Sequence, residues 1–294
     1  MTMSRRLASV VFGAALVAAG GCDVVTAQVP AEGTFERTLA VNGPVDLSVR
    51  TGSGSIQVRT GAGQSVQVIG HIRTGFSWSS ADTPAARVAQ IQAHPPVEQS
   101  GNIIRVGNTA DNPLFQNVTI SYELVVPAAT KVRAQSGSGS ETIGSLRGPV
   151  DAQTGSGTIS IAETDEDVQA MTGSGGIKVD RVGGSITAKT GSGSIHVNKV
   201  AGAVVAHTSS GSIEIAQTGR ANVAVQTGSG NVTLDLPDDA AFALNVHTGS
   251  GSIHTTQPLM VQGSLSRHNL QGTVRGGGGN RVTISTGSGS VQIR

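Results

Sequence analysis

Apolar and polar residues alternate one by one along most of this chain. In the segment 190–207, Ile195 and Val197 alternate with Ser194 and His196, and Val204 and Ala206 then alternate with Val205 and His207. A period of two residues is typical of β-strands whose side chains point in turn to the two faces of a sheet. The pattern therefore predicts two short strands in this segment, each with one face toward a core.

The same pattern repeats with a nearly constant period. A motif Thr-Gly-Ser-Gly, followed after one residue by Ile or Val, or a close variant of it, begins at Thr51, Ser136, Thr154, Thr172, Thr190, Thr208, Thr227, Thr248 and Thr286. The spacings from Ser136 onward are 18, 18, 18, 18, 19, 21 and 38 residues. A fixed period near twenty residues is typical of a solenoid. The interval of 38 residues has room for two turns of 19, with a degenerate turn near Gly263.

Stacking these units in chain order aligns their apolar positions into rows. The first predicted row is Ile159, Ile177, Ile195, Ile213, Val232, Ile253 and Val291. The second is Val132, Val150, Val168, Ile186, Val204, Val223, Leu244 and Val282. Glycine corners permit the tight turns between strands, and parallel crossovers favour one hand. The predicted fold class is therefore all-β, a right-handed parallel β-solenoid (β-helix) with turns of about 18 residues.

The N-terminal part of the solenoid is less regular. Strands are expected on both sides of Thr51, and Thr83-Pro84 resembles an N-cap followed by proline, which predicts a short helix near 83–93 before Pro95-Pro96. We interpret this helix as an insertion at the open end of the stack; the alternative is a disordered loop over about 76–113. The predicted division is 33–127 for N-terminal β turns with the helix and 128–294 for regular repeats.

The first residues resemble an export signal. Arg5 and Arg6 precede an apolar stretch, Leu7 to Ala19, that is too short to span a membrane as a helix. Residues 19–22 resemble a lipobox, which predicts a lipoprotein signal peptide over 1–21, a lipid on Cys22 and a linker over 22–32. The alternative is ordinary secretory cleavage after Ala27, with a signal peptide over 1–27. The expected location is the cell envelope, as a membrane-anchored lipoprotein, or else the periplasm or the exterior.

Composition excludes several classes of function. The chain has 20 basic and 19 acidic side chains and a formal net charge of +1, which provides no electrostatic footprint for nucleic acid. A single cysteine excludes an internal disulfide and every zinc site with several cysteine ligands. No metal site and no cofactor are predicted.

The recurring motifs do not match known catalytic or ligand-binding patterns. In a calcium-binding β-roll the aspartate position would fall on Ile195, which cannot ligate Ca²⁺. The Gly-Ser-Gly corners lack the lysine and Ser/Thr that complete a phosphate-binding loop. An acidic run, Glu163 to Asp167, could bind Ca²⁺ or cleave polysaccharide, but one run in a loop is usually a solvated corner. No catalytic residues are predicted.

Six side chains are candidates for surface contact. His196 and His254 fall in one outward row, expected three turns apart, and His207 and His247 fall in another, expected two turns apart. Phe76 and Trp78 lie in the irregular N-terminal part, where an aromatic ring could stack on a sugar. Solvated surface histidines and a packing tryptophan are the alternative interpretation.

Several motifs together resemble a known family. They are Val126-Pro127 leading into Ser136-Gly-Ser-Gly, the serial Thr-Gly-Ser-Gly-Ser-Ile turns, and the ending 270–293 with its four consecutive glycines. This pattern resembles bacterial putative-adhesin domains of unknown function, relatives of the GIN head domain and of the toastrack β-solenoids, over residues 33–294. The resemblance implies an envelope β-solenoid, suggests adhesion or envelope-stress sensing, and supplies no catalytic motif.

Three functions are compatible with these observations. The first is a non-enzymatic, lipid-anchored envelope module for adhesion or surface contact, with a glycan or protein as its ligand, the membrane as its anchor and no nucleic-acid partner. The second is a sensing or scaffold subunit that works with membrane signalling proteins. The third is a polysaccharide-active enzyme that uses the acids of 163–167.

Overall fold

The computed structural model of the protein describes residues 29–75, 83–107, 112–261 and 266–294. Within these ranges the chain forms 25 strands, one α-helix and two single 3-10 turns, Pro113–Phe115 and Arg275–Gly277. The strands from the N-terminal part are β1 (Glu32–Ala40), β2 (Val45–Thr51), β3 (Ile56–Thr60), β4 (Ser65–Thr74), β5 (Val97–Ser100), β6 (Ile103–Val106) and β7 (Val118–Val126). The helix α1 (Pro84–Ala93) lies between β4 and β5.

The repeats contribute two strands each. Those before residue 218 are β8 (Thr130–Ser136), β9 (Glu141–Ile143), β10 (Val150–Ser156), β11 (Ile159–Thr164), β12 (Val168–Ser174), β13 (Ile177–Val182), β14 (Ile186–Ser192), β15 (Ile195–Val200), β16 (Val204–Ser210) and β17 (Ile213–Gln217). The remaining strands are β18 (Val223–Ser229), β19 (Val232–Asp235), β20 (Phe242–Ser250), β21 (Ile253–Thr255), β22 (Leu259–Val261), β23 (Asn269–Val274), β24 (Asn280–Ser288) and β25 (Val291–Ile293).

The strands form two long sheets that share one core. Sheet A has 12 strands in the order β1-β4-β7-β3-β9-β11-β13-β15-β17-β19-β25-β21. Sheet B has 13 strands in the order β22-β23-β20-β24-β18-β16-β14-β12-β10-β8-β2-β6-β5. From β8 to β19 each repeat places one strand in sheet B and the next in sheet A. Successive repeats pair in parallel and in register, except for a register shift between Val197 and Val200 where β15 pairs with β17. The predicted β-solenoid with one short helix is confirmed.

The order of stacking departs from the order of the chain at both ends. The last repeat does not follow β20 and β21; β24 pairs between β18 and β20, and β25 pairs between β19 and β21. Likewise β2 lies between β6 and β8, and β3 lies between β7 and β9. Val223 is therefore followed in its row by Val282 and then by Leu244, so the chain-order rows predicted for this end are wrong.

The 38-residue interval near the C-terminus does not contain two successive turns of the solenoid. After β21 the chain forms β22 and β23, and β23 pairs antiparallel with β20 and with β22. Gly263, the expected centre of a degenerate turn, lies outside the described residues. This interval therefore closes the end of sheet B and then returns the chain to an inner level.

The predicted helix is present with its expected signals. The Thr83 side chain accepts a hydrogen bond from the Ala86 backbone N–H at 3.2 Å, and Pro84 occupies the first turn. Val88 and Ile91 are buried, and the Gln92 amide donates to the Thr34 carbonyl at 2.8 Å, so the helix packs against β1. Since β1 and β4 end sheet A, α1 lies at the N-terminal end of the stack, and the alternative of a disordered loop over 76–113 is wrong for the part that the structure describes.

The Thr-Gly-Ser-Gly corner has a structural explanation in the stacking of its backbone. A Cβ atom on Gly193, whose φ is +158°, would lie 2.0 Å from the carbonyl oxygen of Gly175 in the neighbouring turn. The buried hydroxyl of Thr190 donates a hydrogen bond to that same Gly175 oxygen at 2.9 Å. The glycine brings two turns into backbone contact, and the threonine satisfies a carbonyl that would otherwise be buried without a partner.

Candidate functional site

The outward side chains of sheet B form a long continuous surface of the solenoid. Ten of its strands, from β6 to β20 in the sheet order, are mutually parallel, and at about 4.8 Å per strand they extend over roughly 43 Å. We call the two outward rows that cross these strands the sheet-B outer face. One row is Arg105, Ser48, Arg133, Asp151, Gln169, Thr187, Val205, Ala224, Thr283 and Asn245. The other is Arg50, Gln135, Gln153, Met171, Lys189, His207, Gln226, Ser285 and His247.

Basic side chains gather at the N-terminal end of this face. Arg105 and Arg133 are the strand partners of Ser48 on its two sides, and Arg50 follows Ser48 by two residues on the same face of β2. The three arginines line one cleft of about 350 Å³ together with Asp46, Ser48, Ile103 and Val106. We call this the arginine cleft.

Not all of the positive charge in the arginine cleft is neutralised. Arg133 is 3.7 Å from the Asp151 carboxylate, and Glu98 is the strand partner of Arg105. Among the described residues, neither Arg50 nor Arg105 has a carboxylate oxygen within 4.0 Å. Two exposed guanidinium groups are therefore available to an anionic ligand.

A second cleft adjoins the first at Arg50. It has a volume of about 450 Å³ and is lined by Arg50, the corner residues of two neighbouring turns, and the half-buried ring of Phe115. Gln116 and Gln135 supply amide groups that can both donate and accept hydrogen bonds. The two clefts together offer charged, amide and aromatic groups along one side of the sheet.

The four candidate histidines lie on the surface, in two widely spaced pairs, and their predicted role in surface contact stays a prediction. His207 and His247 share the outer face of sheet B, but Gln226 and Ser285 lie between them, so they are three strands apart, about 14 Å. His196 and His254 share the outer face of sheet A, four strands apart. Both spacings exceed the predicted two and three turns because the last repeat is inserted between β18 and β20 and between β19 and β21.

Two of these histidines make polar contacts with side chains of the same or the adjacent turn. His196 Nδ1 is 3.0 Å from Glu214 Oε2 on the adjacent strand. His254 Nε2 is 3.1 Å from the Ser252 hydroxyl. Within the described ranges no group of three or more His, Cys, Asp or Glu side chains is placed to hold a metal ion.

The acidic run at 163–167 takes part in the packing of its corner. Glu163 pairs with Arg181 on the next strand, and Asp165 lies 3.8 Å from the same guanidinium. The Asp167 carboxylate accepts a hydrogen bond from the Ser185 backbone N–H at 2.7 Å. These carboxylates hold neighbouring turns together, which does not resemble two acids converging on a glycosidic bond.

One buried carboxyl group was missed by the sequence analysis. Glu141 occupies the inward position that Ile56 and Ile159 occupy in the neighbouring turns, and its side chain is 0% exposed. Neither of its carboxyl oxygens has a hydrogen-bond partner among the described residues. Burial raises the pKa of Glu141 to about 8; the nearby backbone groups of Ser136 and Gln153 act to lower the pKa, and the negative charge of Asp151 adds slightly to the rise. Since the motif beginning at Ser136 carries Glu where the other repeats carry Ile or Val, the sequence did contain this signal.

The arginine cleft was also missed. Its three arginines come from positions 50, 105 and 133, and only the out-of-order stacking of β2 between β6 and β8 brings them together. Cys22, Phe76 and Trp78 lie outside the described residues, so their predicted roles stay predictions. The described part of the chain contains no helix with the length and apolarity needed to cross a bilayer.

The chain was compared with curated proteins and with solved structures. No curated protein matches the sequence. A crystal structure of a putative adhesin from Bacteroides fragilis is 10% identical, covers 89% of this chain and 97% of its own, and has a TM-score of 0.49. A putative lipid binding protein from Parabacteroides distasonis is 9% identical, with 89% and 96% covered and a TM-score of 0.38. A putative cell adhesion protein from Clostridium sporogenes is 11% identical, with 90% and 99% covered and a TM-score of 0.28.

The family assignment rests on a match over nearly the whole chain. The toastrack family DUF4097 matches residues 25–294, which include every strand and the helix described above. The strands of both sheets and the glycine corners between them lie within the matched residues. The chain is a member of the toastrack DUF4097 family.

Proposed function

We propose that this protein is a non-enzymatic surface-contact module of the bacterial cell envelope, held at a membrane by a lipid on Cys22. The observation that carries the proposal is the sheet-B outer face, where ten parallel strands present two outward rows of mostly polar side chains. A rigid surface of this kind can contact a long or repetitive ligand at many points. Weak contacts then add to a high avidity without a deep pocket.

The described residues favour contact over catalysis. The buried interior is mostly aliphatic; its polar residues are chiefly threonines, with Ser136, Gln217, Gln257 and Glu141. Carboxylates of the run 163–167 are engaged in packing contacts. The clefts at the N-terminal end are shallow and open to the surface, and their polar groups are mainly guanidinium and amide groups. Such groups recognise ligands well but are poor general acids and bases at neutral pH.

A binding assay tests the contact function. Full-length protein purified in detergent is incubated with whole bacterial cells, insoluble peptidoglycan and extracellular-matrix protein, and retention after washing is measured. We expect saturable retention on at least one of these surfaces. No retention on any of them contradicts the proposal.

The anchor is tested separately. Labelling growing cells with radioactive palmitate is expected to label the wild-type protein but not Cys22→Ser, and only the wild type should remain in the membrane fraction. Mass spectrometry of the mature N-terminus then identifies the cleavage site. An unmodified N-terminus at Gln28 would replace the anchored form with a periplasmic or secreted one and would leave the contact function intact.

A further inference from the structure

We infer that the arginine cleft binds the carboxylate or phosphate groups of an anionic polysaccharide. This inference rests on the proposed contact function and specifies its ligand class. The first step is geometric: Arg105 and Arg133 lie on the two strands that flank β2, and Arg50 lies on β2 itself, so three guanidinium groups surround Ser48. Guanidinium groups bind carboxylate and phosphate oxygens through paired N–H donors.

The second step concerns charge. Lys131, the strand partner of Asp46, adds a fourth cation beside the cleft, and the nearby acids are Asp46, Glu98 and Asp151. Asp151 is engaged with Arg133 at 3.7 Å. Arg50 and Arg105 are both exposed, and among the described residues they have no salt-bridge partner. The cleft therefore presents two guanidinium groups to solvent, and an anionic ligand can bind there without displacing an existing ion pair.

The third step identifies the rest of the ligand. Arg50 also lines the neighbouring cleft, where Gln116 and Gln135 provide amide groups and Phe115 provides a half-exposed ring. Amides suit sugar hydroxyls because they both donate and accept hydrogen bonds, and an aromatic ring suits the apolar face of a sugar. Gln153 continues the same row on the next strand. A charged group in the first cleft with hydroxylated rings in the second is the pattern of an acidic glycan chain.

A free lipid or a duplex nucleic acid fits this surface less well. Among the described residues, the two clefts contain few apolar side chains, Ile103, Val106, Phe115 and Val118, and do not form a deep apolar channel. The chain as a whole carries a net charge of only +1, which does not provide the extended positive surface that duplex DNA requires. The positive charge is local, which suits a ligand whose negative charges are spaced along a chain.

Equilibrium binding of defined polymers tests the inference. Full-length protein in detergent is immobilised, and binding of polygalacturonate, glycerol-phosphate teichoic acid that carries sugar substituents, neutral dextran and a duplex DNA is measured at low and at physiological salt. We expect polygalacturonate or teichoic acid to bind, dextran to bind much more weakly, and affinity to fall as salt rises. The polygalacturonate and teichoic acid arms distinguish a carboxylate ligand from a phosphate ligand.

Substitutions then place the binding at the cleft. The double variant Arg50→Gln, Arg105→Gln is expected to lower the affinity for the binding polymer at least about tenfold, because it removes two charge-assisted contacts. Arg281→Gln is the matched control, since Arg281 is exposed on the same side of sheet B near its other end, and this variant should change the affinity less than about twofold. Arg50→Lys, Arg105→Lys keeps the charge and should restore only part of the affinity. Thermal unfolding confirms that all variants are folded.

The results separate this inference from the proposed function. Equal loss in the cleft variant and in Arg281→Gln would overturn the inference, as would binding to neither acidic polymer or tighter binding to DNA. If the protein is still retained on cells in those cases, the contact function stands and only its ligand class is wrong. If it binds acidic polymers but no envelope material or matrix, the cleft stands and the contact function is wrong.

Discussion

The middle of the solenoid and its two ends are built from the same repeat but are assembled differently. From β8 to β19 every turn stacks on the turn that precedes it in the chain, and every strand pair is parallel. At the ends the chain skips a level and returns to fill it, and all antiparallel pairs of the described structure lie there. The repeated sequence thus specifies that two stacked turns pair in parallel. It does not specify the order in which the turns stack, and that order differs between the middle and the ends.

The antiparallel strands at the ends have a physical purpose. A parallel stack of identical turns presents an open edge that a further turn, including one from another copy, could extend. At the N-terminal end β1 and β4 cover sheet A, and β5 covers sheet B with a strand of only four residues. At the C-terminal end β22 and β23 cover sheet B, and β21 leaves a free edge of only three residues in sheet A. The repeat is therefore blocked from continuing.

Removing the inserted C-terminal turn is expected to have the largest effect on this arrangement. Deletion of residues 280–294 removes Val282, Ile284, Val291 and Ile293, all of them buried. At about 1.5–3 kcal/mol for each buried side chain, the C-terminal turns lose roughly 6–12 kcal/mol. Hydrogen exchange should show β18 and β20 unprotected, while β10 to β15 keep their protection because each turn of a solenoid depends mainly on its neighbours.

Adding a peptide of residues 280–294 should restore the protection of β18 and β20. The matched control is the same peptide with Val282→Asp and Val291→Asp, which should not bind. Protection of β20 without any peptide would mean that β20 has moved directly onto β18. This move is geometrically possible because Thr227 of β18 and Thr248 of β20 both pair with Thr286 of β24, so the two strands have the same register. That result would show that the order of turns at this end is not fixed by the pairing itself.

This order could have been anticipated only from a small irregularity in the spacing. The motif positions at Thr227 and Thr248 are 21 residues apart instead of 18. Three additional residues can extend the connection by about 10 Å, which is enough to skip one level of about 4.8 Å. The strands, the inward rows and the α1 caps follow from local patterns. The choice between equivalent turns does not, because Val282 and Leu244 present the same apolar face to Val223.

The candidate site depended on that order, so the sequence could not reveal it. Arg50, Arg105 and Arg133 lie in three separate segments, and each appears in its own strand as an ordinary outward polar residue. Stacked in chain order, Arg105 and Arg133 would lie on neighbouring strands of sheet B, with Arg50 two strands beyond Arg105; the insertion of β2 between β6 and β8 places all three on consecutive strands. The predicted histidines, by contrast, were read correctly as outward residues of their strands, but their spacing was wrong for the same reason.

Glu141 lies in the first regular repeat, beside the N-terminal turns, and sets this repeat apart from the rest of the middle. Its replacement is expected to have the next largest effect. The folded state keeps the proton of this carboxyl up to a pH of about 8, whereas the unfolded chain releases it near the ordinary glutamate pKa of 4.5. The free energy of unfolding should therefore fall as pH rises from about 4.5 to about 8, by up to about 5 kcal/mol in total, and should not change further above that. Glu141→Ile should remove this slope and stabilise the protein at pH 8 by an amount of that order.

Urea unfolding at pH 5 and at pH 8 measures the free energy of unfolding of the wild type and of Glu141→Ile. Ile159→Val, in the neighbouring turn of the same row, is the control because it changes a buried side chain without a titratable group; it should cost about 1 kcal/mol equally at both pH values. An unchanged pH slope in Glu141→Ile would show that another group causes it.

The close approach of the glycine corners of neighbouring turns should make alanine substitutions more destabilising in the middle than at the end, by a smaller amount than the effects above. A Cβ on Gly191 would lie 2.6 Å from the Gly173 carbonyl oxygen, whereas a Cβ on Gly52, at the same position of the motif in an end turn, would have no atom within 4 Å. Because overpacked positions must push neighbouring turns apart, Gly191→Ala should destabilise the protein by roughly 1–3 kcal/mol. Gly52→Ala should stay within about 0.5 kcal/mol of the wild type in the same thermal or urea unfolding experiment.

Equal effects of these two alanine substitutions would contradict the stacking explanation for the corner glycines. They would indicate that the corner needs glycine for its backbone dihedral angles and not for its closeness to the neighbouring turn. Neither position has a φ in the left-handed region, so the two substitutions differ mainly in what lies one turn away.

The smallest expected effect is a difference in the free energy of unfolding between two substitutions on opposite faces of β14. Thr190 points inward, and its hydroxyl donates to the Gly175 carbonyl oxygen at 2.9 Å, whereas Thr187 on the same strand points outward. Thr190→Val keeps the side-chain shape but leaves that carbonyl without its donor, which should cost about 1 kcal/mol in urea unfolding. Thr187→Val should change the free energy of unfolding by less than about 0.5 kcal/mol, because water can replace what an outward hydroxyl provides. If neither valine substitution changed the free energy of unfolding, the hydrogen bond would not explain why Thr or Ser recurs at this corner in all nine motifs. The outward rows of side chains would then be examined first for another explanation.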